Sequence, residues 1–309
     1  MKNKFSFLLV FVMALAACEK NVKVDIPQRD PRLVINGWLE KGALIELTIG
    51  KSRNVLQPID QSGSYMEAYV VKNAVPVVYE NQVAIDTLIY QPSTFTYVSP
   101  RNKIIREGFT YTIKVNAPGF AEAEASTIVP SQSVIAGITR TKESRTTSDG
   151  QKQDEIQIRL DDPSESNFYL IQFFSAPYSS GPGYEIYCVS TTDKDIEPIG
   201  DNADPFSTDN CYDGGSLLMK DVNFNGRQKQ LRFFIDSYDL YEHTDASGAV
   251  LKPYVKVHRI TEDYFKFVKS YHVYYNSSDN PFAEPSNVFS NVKNGYGSFS
   301  AYTMAVDSL

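Results

Sequence analysis

Leu33-Val34-Ile35-Asn36-Gly37-Trp38-Leu39, and after Lys41-Gly42 the run Ala43-Leu44-Ile45-Glu46-Leu47-Thr48-Ile49, decide the fold class. Both runs are rich in β-branched residues, and Lys41-Gly42 between them reads as a turn, so the stretch predicts strand, turn, strand. The same rhythm continues downstream. Strands are expected at Tyr65–Lys72, Val75–Tyr79, Val83–Tyr90, Thr94–Val98, Phe109–Asn116 and Ala123–Val129. Their turns carry Gln61-Ser62-Gly63, Asn73, Pro76, Asn81, Pro92 and Pro118-Gly119. Short strands at this spacing, with no convincing helix, predict a β-sandwich of immunoglobulin-like or transthyretin-like type over residues 33–130.

The composition shifts at Pro130, which is taken as the domain boundary. Thr139 to Gly150 is almost wholly polar and reads as a loop or hairpin tip. Beyond it, Ile156–Leu160, Asn167–Phe174, Tyr184–Thr191, Leu231–Ser237 and Tyr254–Ile260 read as strands, and Asp161-Asp162-Pro163-Ser164 as a turn. Thr261 looks like a helix N-cap, with Glu262 and Asp263 in a favourable first turn and the helix running over about 262–275. Tyr264, Val268, Tyr271 and Tyr275 share one face of it, a stripe read as core. The fold class expected is therefore mainly β, a sandwich followed by a second β-rich domain, residues 131–309, with one packed helix.

Upstream of Leu33 the chain changes character. Lys2 and Lys4 precede an apolar stretch from Phe5 to Ala14, too short to span a bilayer but suited to a signal-peptide core. Leu15-Ala16-Ala17-Cys18 resembles the lipobox of bacterial lipoproteins. The resemblance implies residues 1–17 as the signal peptide, cleavage before Cys18, and acylation of Cys18. Residues 18–32, charged and bearing Pro27 and Pro31, then read as a lipidated tether. An ordinary secretory signal with a coincidental cysteine is the competing reading.

The net charge of −7 becomes −9 once Lys2 and Lys4 leave with the signal peptide. Such acidity argues against nucleic acid, whose phosphates require clustered Lys and Arg. Besides Cys18 the chain holds Cys188 and Cys211, a matched pair that an exported protein would bridge; two unrelated free thiols are the alternative.

The C-terminal runs Asn280-Pro281-Phe282-Ala283-Glu284-Pro285, Val288-Phe289-Ser290-Asn291-Val292 and Asn294-Gly295-Tyr296-Gly297-Ser298-Phe299 resemble a recurring pattern. It belongs to Bacteroidetes-type outer-membrane lipoproteins, in the family catalogued as domain of unknown function four-two-four-nine. Cys18-Glu19-Lys20, Pro31 to Gly37, and Tyr111 to Pro130 with Ala117-Pro118-Gly119-Phe120 are similar too. Ser298 stands where an apolar residue is expected and Ser286 where Val is usual. Genes of the family commonly lie beside those of TonB-dependent transporters. The resemblance thus implies an outer-membrane accessory of a nutrient importer, and it carries over no catalytic residues. Asn294-Gly295 and Gly297 permit a tight turn with Tyr296 and Phe299 packed beneath it, so fold closure is the first reading of this motif.

Chemistry-bearing motifs are sparse. There is no HExxH, GxSxG or P-loop, and His243, His258 and His272 fit no catalytic spacing. The acidic run from Asp193 to Gly215 contains Asp209 and Asp213, which faintly resemble a calcium loop; a solvated acidic loop is the simpler reading, and no cofactor is expected. Long loops at Tyr178–Gly183, Asp193–Gly215 and Tyr241–Leu251 place Tyr178, Tyr212 and Tyr241 beside glycines and carboxylates. These three form the expected ligand or partner site. The expected function is a non-enzymatic, lipid-anchored accessory of a TonB-dependent barrel. The alternatives are a stand-alone glycan-binding module and a hydrolase with dispersed carboxylates.

Overall fold

The computed structural model describes residues 30–53, 65–177, 181–197, 216–278 and 286–309. In chain order the first elements are β1 (Leu33–Glu40), β2 (Glu46–Lys51), a one-turn α1 (Tyr65–Tyr69), β3 (Val75–Glu80), β4 (Val83–Thr87), β5 (Ile89–Gln91), β6 (Thr96–Val98), β7 (Thr110–Asn116) and β8 (Ala123–Ile128). Then come β9 (Val134–Thr146), β10 (Lys152–Asp161), β11 (Phe168–Phe174), β12 (Val189–Ser190), β13 (Ile196–Glu197), β14 (Ser216–Lys220) and β15 (Gln228–Asp236). The last are β16 (His243–Thr244), β17 (Val250–Leu251), β18 (Tyr254–Ile260), α2 (Glu262–Ser278) and β19 (Tyr296–Ser308). The protein is mainly β, and among the described residues no helix is long and apolar enough to cross a membrane.

The first sandwich follows directly from alternation. In β1, Leu33, Ile35, Gly37 and Leu39 point inward while Trp38 points out. The inward set joins Ile45, Leu47, Ile49, Val78, Tyr97, Tyr111 and Ile113 in one apolar core. One wall of that core is β1-β2-β6-β5 and the other is β4-β3-β7-β8. Gly37 is required by packing, because a Cβ there would lie 3.0 Å from Leu47 and 3.2 Å from the ring of Phe299.

Phe299 belongs to β19, the element that organises the molecule. Its first half, Tyr296 to Tyr302, pairs parallel with β1, Val34 to Glu40. Its second half, Tyr302 to Ser308, pairs antiparallel with β18. One thirteen-residue strand therefore closes the first sandwich and continues into the second, giving a nine-stranded sheet ordered β13-β14-β11-β18-β19-β1-β2-β6-β5. Gly297 makes this approach feasible: at φ +107° it sits where a Cβ would meet the Ile35 carbonyl oxygen at 2.1 Å. Pro31–Leu309 forms one compact unit.

The second core lies between β11, β14 and β18 on one side and β12-β15-β10-β9 on the other. The segment after β8 is tied to this half by hydrogen bonds. Arg259, only 4% exposed, donates to the Ser131 carbonyl at 3.3 Å and to Glu165 at 2.7 Å, and Thr303 donates to the same carbonyl at 3.0 Å. On the opposite face of β11, β14 and β18, a small third core of Leu170, Leu218, Ile260 and Phe265 holds α2.

Several expectations are corrected, among them a turn at Pro76, which instead lies inside β3. Residues 65–69 form a helical turn, since Glu67 and Ala68 favour helix and the pairing with β2 is confined to the isolated Gly50–Val70 bridge and the Val71 N–H bond to Ile49. The run Val83–Tyr90 breaks at Leu88, so β4 pairs with β3 and β5 with β6 in opposite sheets; the buried Asp86, bonded to Ser99 and to the Thr87 N–H at 2.9 Å, marks the switch. The polar stretch 139–146 is strand rather than loop. It pairs with β10, where the buried Asp154 takes the Arg140 guanidinium at 2.7 Å and the Glu143 N–H at 2.9 Å across a bulge with Glu143 at φ 47°. The expected loop Tyr241–Leu251 contains the hairpin β16–β17, and the expected strand Tyr184–Thr191 shrinks to Val189–Ser190.

Candidate functional site

Of the expected site residues, Cys18, Tyr178, Asp209, Cys211, Tyr212 and Asp213 lie outside the described residues. Tyr241 is described and 61% exposed, its ring edge-on to Tyr238 at 5.9 Å. Tyr184, also exposed, donates its hydroxyl to Asp239 at 3.2 Å. Burial raises the Asp239 carboxyl, the nearby Asp236 adds to this, and the Tyr184 bond opposes it. Tyr184 thus sits on a carboxylate whose chain neighbour, Tyr238, pairs with Tyr241. Cys188 is half-buried and directly precedes β12. Among the described residues no group of three metal-ligating side chains occurs.

His258 faces the third core rather than solvent. It is 8% exposed, meets the Tyr302 ring edge-on at 5.4 Å, and its Nε2 has no hydrogen-bond partner. Burial, with a smaller contribution from Lys256, pushes its pKa down to about 4. The ring is held neutral, a packed core group.

The most developed surface is built on α2. Thr261 starts the helix as expected: its Oγ1 accepts the Tyr264 N–H at 3.3 Å, and its own N–H donates to Ala301 of β19 at 3.1 Å. Glu262 pairs with Lys266 at 2.8 Å one turn on. Phe265 is buried, while Tyr264 and Val268 pack half-buried against the third core. Beside them a continuous row of rings begins on another strand. Trp38 of β1 stacks on Tyr264 at 6.2 Å and approaches Phe267 at 5.9 Å; Phe267 stacks on Tyr271 at 6.0 Å, and Tyr271 on Tyr275 at 6.4 Å. Trp38, Tyr271 and Tyr275 are 41%, 48% and 65% exposed.

The helix stripe read as core is therefore core at Tyr264 and Val268 only, and turns outward at Tyr271 and Tyr275. Sequence reading overlooked Trp38, the only tryptophan, because its contact with α2 depends on β19 carrying β1 beside β18. Its outward position in the alternation of β1 was the available signal. Beneath the rings, Tyr302 donates to Glu40 at 2.9 Å; burial first, and this bond second, push its hydroxyl above the ordinary tyrosine range. Ser298, at the expected apolar position, is buried and shares a 2.8 Å hydrogen bond with Ser300.

The chain belongs to the family described as Domain of unknown function (DUF4249), which matches residues 19–307. No curated protein matches the chain in sequence. Among solved structures it is similar to the β-glucuronidase of Parabacteroides merdae at 13% identity and TM-score 0.22, covering 75% of this chain and 24% of that one. It is also similar to a membrane-anchored protein from Corynebacterium diphtheriae at 9% identity and TM-score 0.22, covering 76% of this chain and 55% of that one. The chain thus spans about a quarter of the first protein and about half of the second, and at these scores neither likeness carries an argument.

Proposed function

We propose that this family member is a lipid-anchored outer-membrane protein that works by binding, as a non-enzymatic accessory of a TonB-dependent transporter. Acylation of Cys18 in Leu15-Ala16-Ala17-Cys18 supplies the anchor, and a Cys188–Cys211 bridge forms after export. The observation that carries the reading is the row of rings from Trp38 through Phe267 and Tyr271 to Tyr275. Protein interfaces concentrate their binding energy in Trp and Tyr, whose rigid rings lose little conformational freedom when covered. The net charge of −7 suits a neutral or basic partner surface better than a polyanion and argues against nucleic acid.

A second reading rests on the exposed Tyr238–Tyr241 pair and on Tyr184 bonded to Asp239, rings and a hydrogen-bond acceptor that suit a neutral glycan. Purification of the full-length protein from its own membranes in mild detergent separates the two. The accessory reading expects a β-barrel to co-purify with the wild type and to be lost from the Tyr271→Ala/Tyr275→Ala variant. Absence of any barrel, with retention on a glycan matrix that depends on Tyr238 and Tyr241, would overturn it.

A further inference from the structure

On the other flank of α2 lies a cleft that the ring ladder does not use. Phe168, Phe265 and Phe289 contribute aromatic surface to it, and Lys220, Lys266 and Lys269 its charged groups, around a volume of about 460 Å³. That volume is in the range of small-molecule sites, roughly 300–1,000 Å³. The ammonium groups are placed over the rings: Lys220 lies 4.6 Å from the centre of Phe265, and Lys266 5.6 Å from that of Phe289. Carboxylates hold all three in place. Glu197 alone serves both Lys220, at 3.1 Å, and Lys269, at 2.6 Å, while Glu262 holds Lys266 at 2.8 Å. Each ammonium has three N–H donors, more than its carboxylate contact uses.

Among the described residues Glu197, Glu262 and Asp263 balance the three lysines, so the cleft sets ion-paired ammonium groups beside aromatic walls on a chain whose net charge is −7. We infer that this cleft binds a small aromatic acid, its flat apolar body against Phe168, Phe265 and Phe289 and its carboxylate on Lys266 and Lys269. Apolar burial supplies the attraction for the body, and charge-assisted hydrogen bonds select the anion. The site is independent of the transporter reading, since the residues it uses lie across the helix from Phe267, Tyr271 and Tyr275.

Calorimetric titration of the full-length protein in non-ionic detergent, against a detergent-only blank, tests this. The probes are 2-naphthoate and its neutral isostere 2-naphthamide. The expected result is one saturable site per chain, with naphthoate bound about tenfold more tightly than the amide and weakened by added salt. The Lys266→Ala/Lys269→Ala variant loses about tenfold for naphthoate and nothing for the amide, a factor typical of one charge-assisted contact. Both lysines are exposed, so the melting temperature stays unchanged and the comparison stands on folded protein. No saturable binding, equal affinity for the two probes, or an unaffected double variant would each overturn the inference.

Discussion

The two sandwiches differ in what they bury. In the first, the interior is aliphatic and aromatic, and its buried polar residues, Asp86, Ser99 and Thr127, sit at strand ends and switches. In the second, Asp154, Asp162, Asn167, Asp221, His258 and Arg259 are all buried as well. The first sandwich is complete only when β19, the last strand of the chain, arrives beside β1. The second carries most of the buried ionisable groups, the longer helix and nearly all of the exposed rings. An apolar core is indifferent to pH and sensitive to shape; a core with buried charge is sensitive to both. The contrast assigns closure to one half, and the proposed recognition surface lies where β1 of that half meets α2 of the other.

The largest expected effect breaks closure. Phe299→Ala empties a fully buried site between Gly37 and Leu47 and should cost about 3–5 kcal/mol of unfolding free energy, measured by urea titration. A cost under 1 kcal/mol would mean that β19 does not close the first core.

Next comes pH. His258 in the folded protein has a pKa near 4, below the ordinary value of 6.5, so the unfolded chain takes up its proton first as pH falls. Its contribution is fully present above pH 6.5 and lost between 6.5 and about 4, roughly 3 kcal/mol in total. In urea titrations across that window the wild type should lose this amount of stability relative to His258→Phe as pH falls. Parallel curves would contradict the burial of a neutral ring. Asp154 behaves similarly but lower on the scale: burial alone would raise its carboxyl, yet Ser237, the Glu143 N–H and Arg140 hold it below the usual range.

Smaller still is the cap. Thr261→Ala should cost about 1 kcal/mol and show as faster amide exchange in the first turn of α2, with β1 and β2 unchanged. The smallest change in stability is expected on the ladder. Tyr271→Ala and Tyr275→Ala remove exposed rings and should each cost less than about 1 kcal/mol in thermal unfolding.

The β character was legible because alternation in Leu33–Leu39 and the turn at Lys41-Gly42 are local signals. The helix was legible for the same reason, through Thr261, Glu262 and Asp263. What was not legible is non-local. Tyr296–Ser308 alternates poorly, with Ser298 and Ser300 buried beside Phe299 and Ala301, because a strand covered on both faces has no polar side to mark it. The strand through Arg140–Thr146 reads as loop because its partners, Asp154 and Gln153, lie on the neighbouring strand. The same blindness applies to the site. Tyr264, Val268, Tyr271 and Tyr275 show as a stripe, but which of them face solvent depends on how far the sheet extends beneath the helix. The expectation that recognition falls in the second half placed it on Tyr178, Tyr212 and Tyr241; of these, only Tyr241 lies within the described residues.

The account places the docking surface on the outer rings of α2, and site-specific photocrosslinking in living cells tests that most directly. A benzophenone amino acid is placed at Tyr275, and in a parallel strain at Val83, equally exposed on β4 of the first sandwich. The account predicts an adduct with an outer-membrane β-barrel from position 275 and none from position 83. An adduct from position 83 with none from 275 would contradict it.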